Sequence, residues 1–281
     1  MEDSATVSES GERFGRLSFH FRVKGAYSSA MAAAPYMTFT EHLEELRWRL
    51  IKSVGAVALG FILCYVASDR IFALMIAPLK QNLQPGQSLI GTGVAEAFFI
   101  EMKVGLVGGV FVALPVIFYQ IWRFLAPGLL GEEKKMVLPF VVCATGFFLG
   151  GAYFCYRVVL PVAFGYFVEQ YQSIGVSPEI RIAEYFSFFF RMILAFGITF
   201  ELPVFTFFLV RLGILNYRLM WRSFRYAIVL IFIAAAILTP TPDVINQTLL
   251  AAPMLLLYLL SIGVAYVWRK DRAQPADDET T

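Results

Sequence analysis

An acid in an apolar run is the first residue with chemistry to explain. Phe196-Gly197-Ile198-Thr199-Phe200-Glu201-Leu202-Pro203-Val204-Phe205 lies inside a long hydrophobic stretch, which places Glu201 at membrane depth. An ionisable group there costs between roughly 2.5 and more than 10 kcal/mol, so it must meet a partner, a water-filled cavity or a neighbouring helix. A structural carboxylate, protonated and hydrogen-bonded within a bundle, satisfies the same demand. Arg191 shares the stretch but stands ten residues away, roughly 15 Å along a helix, too far to pair with Glu201. Both histidines, His20 and His42, precede the first apolar span, so no span holds a histidine for a metal or for a nucleophile. His42-Leu43-Glu44-Glu45 is not the zinc-protease spacing, Gly91-Thr92-Gly93-Val94-Ala95-Glu96 is not a dinucleotide fingerprint, and no Walker loop occurs. Cys64, Cys143 and Cys155 lie in apolar stretches with no C-x-x-C pair, as buried small hydrophobes do. The residues support no catalysis and call for no cofactor.

Elements that could position Glu201 follow from composition. The 281 residues are 58% hydrophobic and 16% charged, with a mean hydropathy of +0.67. Soluble domains carry roughly 45–50% apolar and about 25% charged residues, so the chain reads as a membrane protein. A net charge of +2 is too small to imply a nucleic-acid partner.

Residues 1–37 read as a disordered extension without a signal peptide, and Met31 or Met37 is an equally plausible start. Thr38 and Glu41 have capping-box spacing, opening a helix whose Phe39, Leu43, Leu46 and Leu50 share one face, as an interfacial helix requires. Glu45 and Arg49, four residues apart, lie on another face, where a solvated charged collar is the ordinary reading. Span one is expected at 51–68. A short interfacial helix at 71–78 and a turn at Gln84-Pro85-Gly86-Gln87 follow. Span two is expected at 97–122, with Glu101 and Lys103 near the water boundary, and span three at 136–158. A loop with a partial helix at 161–169 leads to a turn at Gly175–Pro178, then to span four at 184–210. The segment 211–221 reads as a basic loop. Span five, at 224–238, has about fifteen residues, or roughly 22 Å against a hydrocarbon core of about 30 Å. Thr239-Pro240-Thr241-Pro242-Asp243 turns the chain into span six, at 245–267, and the tail 269–281 reads as disordered.

Lysine and arginine cluster before span one, in the 123–135 and 211–225 loops and in the tail, while the intervening loops hold only Arg70, Lys80, Arg157 and Arg181. The positive-inside rule then places both termini in the cytoplasm.

Four stretches stand out: His42-Leu43-x-Glu45-Leu46-Arg47-x-Arg49-Leu50, Phe124-x-Ala126-Pro127-Gly128-Leu129 with Glu133, Phe196-Gly197 with Phe200-Glu201-x-Pro203, and Thr239-Pro240-x-Pro242-Asp243 with Gln247 and Pro253. Together they resemble one family, TatC, the multi-spanning component of the twin-arginine protein translocase. The resemblance covers residues 38–268; the last hairpin is one residue longer than the family's usual T-P-P-D. It implies an all-α membrane protein of six transmembrane helices in a cupped bundle, spans five and six short, in the inner membrane of a prokaryote. It further implies a receptor for the twin-arginine signal peptides of folded cargo, acting as a homo-oligomer among lipid with single-span TatA- and TatB-like partners. On this chain the implied acceptors of the signal arginines are Glu45 and Glu133, with Leu43, Arg47 and Phe124 shaping the site and Glu132 a competitor. Glu201 is implied to face lipid or water on the concave side, with Thr239, Asp243 and Gln247 in the partner-helix surface. From the residues alone, two other readings stand beside a binding platform. A secondary transporter using Glu201 as a proton or cation site lacks the internal repeat common in that class. An intramembrane hydrolase lacks its catalytic set.

Overall fold

Apolar runs of about twenty residues can satisfy their backbone in lipid only as helices, and the apolar runs among the described residues are helical. The structure, a computed structural model, describes residues 39–83, 88–125, 137–211, 213–239 and 244–268. The expected extension, the tail and the turns at 84–87 and 240–243 lie outside the described residues. The chain divides into two compact units, Met1–Arg47 and Trp48–Thr281.

The helices are α1 (Phe39–Val66), α2 (Ser68–Lys80), α3 (Glu96–Leu125), α4 (Val137–Phe154), α5 (Leu160–Ser173), α6 (Ile182–Phe200), α7 (Leu202–Arg211), α8 (Tyr217–Arg222), α9 (Phe224–Leu238) and α10 (Val244–Val267). Among the described residues, five stretches are long and apolar enough to cross a membrane: Thr40–Val66, Glu96–Phe124, Val137–Ser173, Ile182–Arg211 and Val244–Val267. The fifth span in chain order, α9, has only 15 residues. The sixth, expected to be short as well, has 24. Only one closing span is therefore short.

Three expectations change with the structure. First, span three does not end at 158. A five-residue π-helical segment, Cys155–Val159, joins α4 to α5, and the helical stretch runs 37 residues. Pro161 has no N–H to donate to the preceding turn, and a widened turn accommodates the missing bond without ending the helix. Second, α2 does not simply lie in the interface. Met75, Ile76, Pro78 and Leu79 are buried, and Tyr156 Oη donates to the Leu74 carbonyl at 2.9 Å while Tyr185 Oη donates to that of Met75. Third, the basic loop at 211–221 contains α8, capped by Asn216, whose Oδ1 accepts from the Arg218 amide at 3.2 Å. Asparagine before an apolar turn was a legible start signal.

Within the second unit α6 is the centre. Over its stretch 56% of the best apolar window is buried, against 11% for α1, so α6 faces neighbours on most sides and α1 faces outward on most of its own. Phe186, Phe189, Phe196 and Met192 fill the main core with Leu79, Val104, Cys155, Leu160 and Leu250. A second cluster joins Trp122, Phe140, Phe148 and Val204, with Trp122 stacked on Phe140 at 4.5 Å and edge-on to Phe208 at 4.6 Å. Backbones approach closely at two glycine contacts. A Cβ on Gly60 of α1 would stand 2.6 Å from the Gly109 carbonyl of α3, and one on Gly151 of α4 would stand 2.7 Å from the Phe196 carbonyl of α6. Small residues of this kind let transmembrane helices pack where lipid offers no hydrophobic driving force.

The α2–α3 and α5–α6 connections are tied together at one end of the unit. Ile90 N donates to Ile180 O and Ile182 N to Ile90 O, both at 3.0 Å. Glu96 completes the tie. One carboxylate oxygen accepts from the amides of Thr92 (2.7 Å) and Gly93 (2.9 Å), the other from that of Ala183 (3.0 Å) in the first turn of α6. One acid thus caps two helices. The turn expected at Gly175–Pro178 is present, with Gly175 at φ 73° ending α5.

Candidate functional site

The amino-terminal candidates sit on the first turns of α1. Leu43 is 48% exposed, Arg47 is exposed and Glu45 is half-buried. Nδ1 of His42 stands 3.9 Å from the Glu45 carboxylate, an ion pair only when the imidazole is protonated. Leu46 and Leu50 are as open as Leu43, but the expected interfacial helix is not separate: it runs unbroken into the first span. Phe124 lies half-buried in the last turn of α3. Its neighbour Arg123 donates to Tyr119 Oη, one turn earlier in that helix, at 3.2 Å. Glu133 and its neighbour Glu132 lie outside the described residues.

Glu201 sits where α6 gives way to α7, and Pro203 explains the junction. A proline cannot donate to the carbonyl four residues back, so the helix tightens ahead of it. The Glu201 amide donates to Ile198 O at 3.1 Å, three residues back, and α7 resumes with Phe205 N donating to Glu201 O at 2.9 Å. The side chain points inward. Glu201 is 3% exposed, and neither carboxylate oxygen has a hydrogen-bond partner among the described residues. Exposure to lipid or water on a concave side is not what the structure shows. The packing of α6 against α4, set by Gly151 and by the Phe148 ring over Gly197, encloses this turn.

Thr239 and Gln247 both use their polar groups at home. The Thr239 hydroxyl, at 9% exposure, donates to Ala235 O at 3.0 Å, as serine and threonine do to relieve an apolar site. Gln247 Nε2, from α10, donates to Phe232 O of α9 at 2.8 Å. That bond crosses between the short fifth span and the sixth. Asp243 lies outside the described residues. No metal-binding group of three or more His, Cys, Asp or Glu occurs among the described residues. The cysteines are free, with Cys64 and Cys155 buried as expected and Cys143 exposed.

Sequence reasoning passed over Glu96, whose Gly91-Thr92-Gly93-Val94-Ala95-Glu96 setting was excluded as a cofactor motif. Glycine and threonine just ahead of a helix, with an acid three and four residues on, are a cap signal.

Residues 41–253 match the family model described as Sec-independent protein translocase protein (TatC). The chain belongs to the TatC family. Relatives named Sec-independent protein translocase protein TatC agree over most of their lengths. That of Koribacter versatilis is 43% identical over 234 residues, 82% of this chain and 86% of its own. That of Magnetococcus marinus is 45% identical over 242 residues, covering 85% and 88%. A solved structure titled Twin Arginine Translocase Receptor- TatC superposes with a TM-score of 0.73 at 34% identity, over 81% of this chain and 99% of that one. The same receptor solved in DDM gives 0.74 over 80% and 99%. As a TatC-family protein the chain is a membrane component of the Sec-independent protein translocase, an all-helical one. A role in moving protein, not small solutes, is the one its relatives carry by name.

Proposed function

We propose that this chain is the receptor subunit that selects twin-arginine signal peptides on the cytoplasmic face and assembles the translocation site with single-span TatA- and TatB-like partners. The observation that carries the reading is Glu45, a carboxylate on the first turns of α1 between exposed Leu43 and Arg47, in a chain whose solved relative is titled a twin-arginine translocase receptor. Each signal arginine presents a planar fork of donors, which a carboxylate accepts bidentately and a lysine ammonium cannot match. Two adjacent arginines need two acids. Glu45 and Glu133 supply one each, while Arg47, Leu43 and Phe124 shape the approach.

In this reading Thr239, Asp243 and Gln247 border the partner helices, Glu201 acts from inside the bundle, and the chain does no catalysis. Gln247 and Thr239 brace a span too short for the bilayer, and a polar contact in a transmembrane interface, worth about 1–2 kcal/mol in model peptides, sets docking register. The secondary-transporter reading of Glu201 lacks a motive once the family is known.

Photo-crosslinking of a twin-arginine signal peptide to the full chain in membranes tests the receptor role. Glu45→Lys and Glu133→Lys each abolish the crosslink while membrane insertion stays intact, and a twin-lysine peptide crosslinks weakly to the wild type. Wild-type crosslinking to both variants sinks the assignment.

A further inference from the structure

Arg191 is a charge on α6 that the proposed receptor role leaves without work. It is exposed, inside a 30-residue apolar stretch, Ile182–Arg211. Its Nε donates to Ser187 O, one turn back, at 3.0 Å. The two terminal nitrogens make no hydrogen bond among the described residues. Nine residues separate Arg191 from the start of α6, about 13 Å of helix. The 30 residues of the stretch, bent at Glu201, span at most about 45 Å, and centred on a hydrocarbon core of about 30 Å they overhang it by up to about 7 Å at each end. Arg191 is then rooted only about 6 Å inside the hydrocarbon. Helical side chains lean toward the amino end of their helix, and the bond to Ser187 shows this one doing so. The guanidinium is carried toward the headgroup level by its own stem.

It opens into a groove of about 640 Å³ between α5 and the start of α6, walled by Phe167, Val168, Tyr171 and Phe188. Two acids also line the groove. Glu184 is engaged by Arg181 at 3.6 Å, and Glu179 is exposed on the α5–α6 connection. The trough is apolar beside a fork of unspent cationic donors, at the depth where lipid phosphates lie.

We propose that this groove binds a single anionic phospholipid, its phosphate on the Arg191 guanidinium and part of an acyl chain along the aromatic wall. A phosphodiester matches the planar fork and satisfies donors that hydrocarbon cannot. A volume of about 640 Å³ is within the roughly 300–1,000 Å³ of small-ligand sites, enough for a headgroup and part of one chain. The glycines and valines of a bare helix-packing surface would offer neither the cation nor the trough.

The test is lipid retention by the purified full chain in detergent, read by native mass spectrometry during titration with dioleoyl-phosphatidylglycerol or with the phosphate-free dioleoyl-glycerol. The wild type retains the phosphatidylglycerol about tenfold better, the scale of a charge-assisted hydrogen-bond pair, and excess inorganic phosphate does not displace it. Arg191→Leu removes that preference, and Arg191→Lys, with its single-point ammonium, leaves several-fold weaker retention. If the leucine variant fails to fold, the lysine variant decides. Wild-type retention by either variant overturns the proposal, as does displacement by phosphate alone. A single-span protein that co-purifies through Arg191 in place of lipid overturns it too.

Discussion

Glu201 and Glu96 are both carboxylates beside helix ends, and their surroundings give them opposite duties. Glu96 spends its oxygens on the amides of Thr92, Gly93 and Ala183, charge-assisted bonds to groups a helix start leaves unpaired. Glu96→Gln halves the acceptor capacity and lowers the thermal midpoint of the purified chain in detergent; Glu96→Ala lowers it further. Equal midpoints for all three chains refute the double cap. Glu201 spends little: it is buried, neither oxygen makes a full hydrogen bond among the described residues, and only the Phe148 backbone stands near it, a state that costs about 1–3 kcal/mol for an ordinary polar group. Glu201→Leu therefore stabilises the chain on the order of 1–3 kcal/mol while cargo export falls and signal-peptide crosslinking persists. A destabilised Glu201→Leu with normal export would show the acid to be structural. Stability given up at a working residue is a common trade.

Helices here meet where side chains vanish. Gly60 on α1 and Gly109 on α3 bring two backbones together so closely that an added Cβ at Gly109 would stand 2.5 Å from the Phe61 nitrogen. Backbone cannot rotate away as a side chain can, so Gly109→Val costs about 1–3 kcal/mol or more, visible as a lower denaturant midpoint. Gly146→Val is the control, because nothing lies within 4 Å of its Cβ position. The proline devices belong to the same scale. Pro161 is absorbed by a π-helical turn that lets α4 and α5 run on, whereas Pro203 separates α6 from α7 at Glu201. One proline extends a rod and the other marks a site.

At the scale of the whole molecule, the short α9 stands beside full-length spans. At 15 residues it reaches about 22 Å of a core of about 30 Å. The bilayer thins or the helix packs into protein, and the Gln247 bond to Phe232 ties it to α10. The charge distribution sets a second expectation: reporter fusions after residue 130 and after residue 270 report cytoplasm, and a fusion near residue 175 reports the opposite side. A reversed pattern overturns the orientation drawn from lysine and arginine placement.

Span number, the shortness of span five and the family motifs were legible in the sequence because they are local. Hydrophobic run length, a proline pair and spaced acids declare themselves without knowledge of what packs on what. What only the tertiary structure decided were the relations between distant residues. The Glu96 carboxylate reaches Ala183, 87 positions away, and α2 turns one face into the main core through Met75, Ile76 and Leu79. Glu201 illustrates the divide. Its type and its position in an apolar run marked it as a costly acid, but the side of the helix it occupies depends on how α4 seats against α6 at Gly151 and Gly197. Burial is a property of that contact between helices, and no single stretch of sequence carries it.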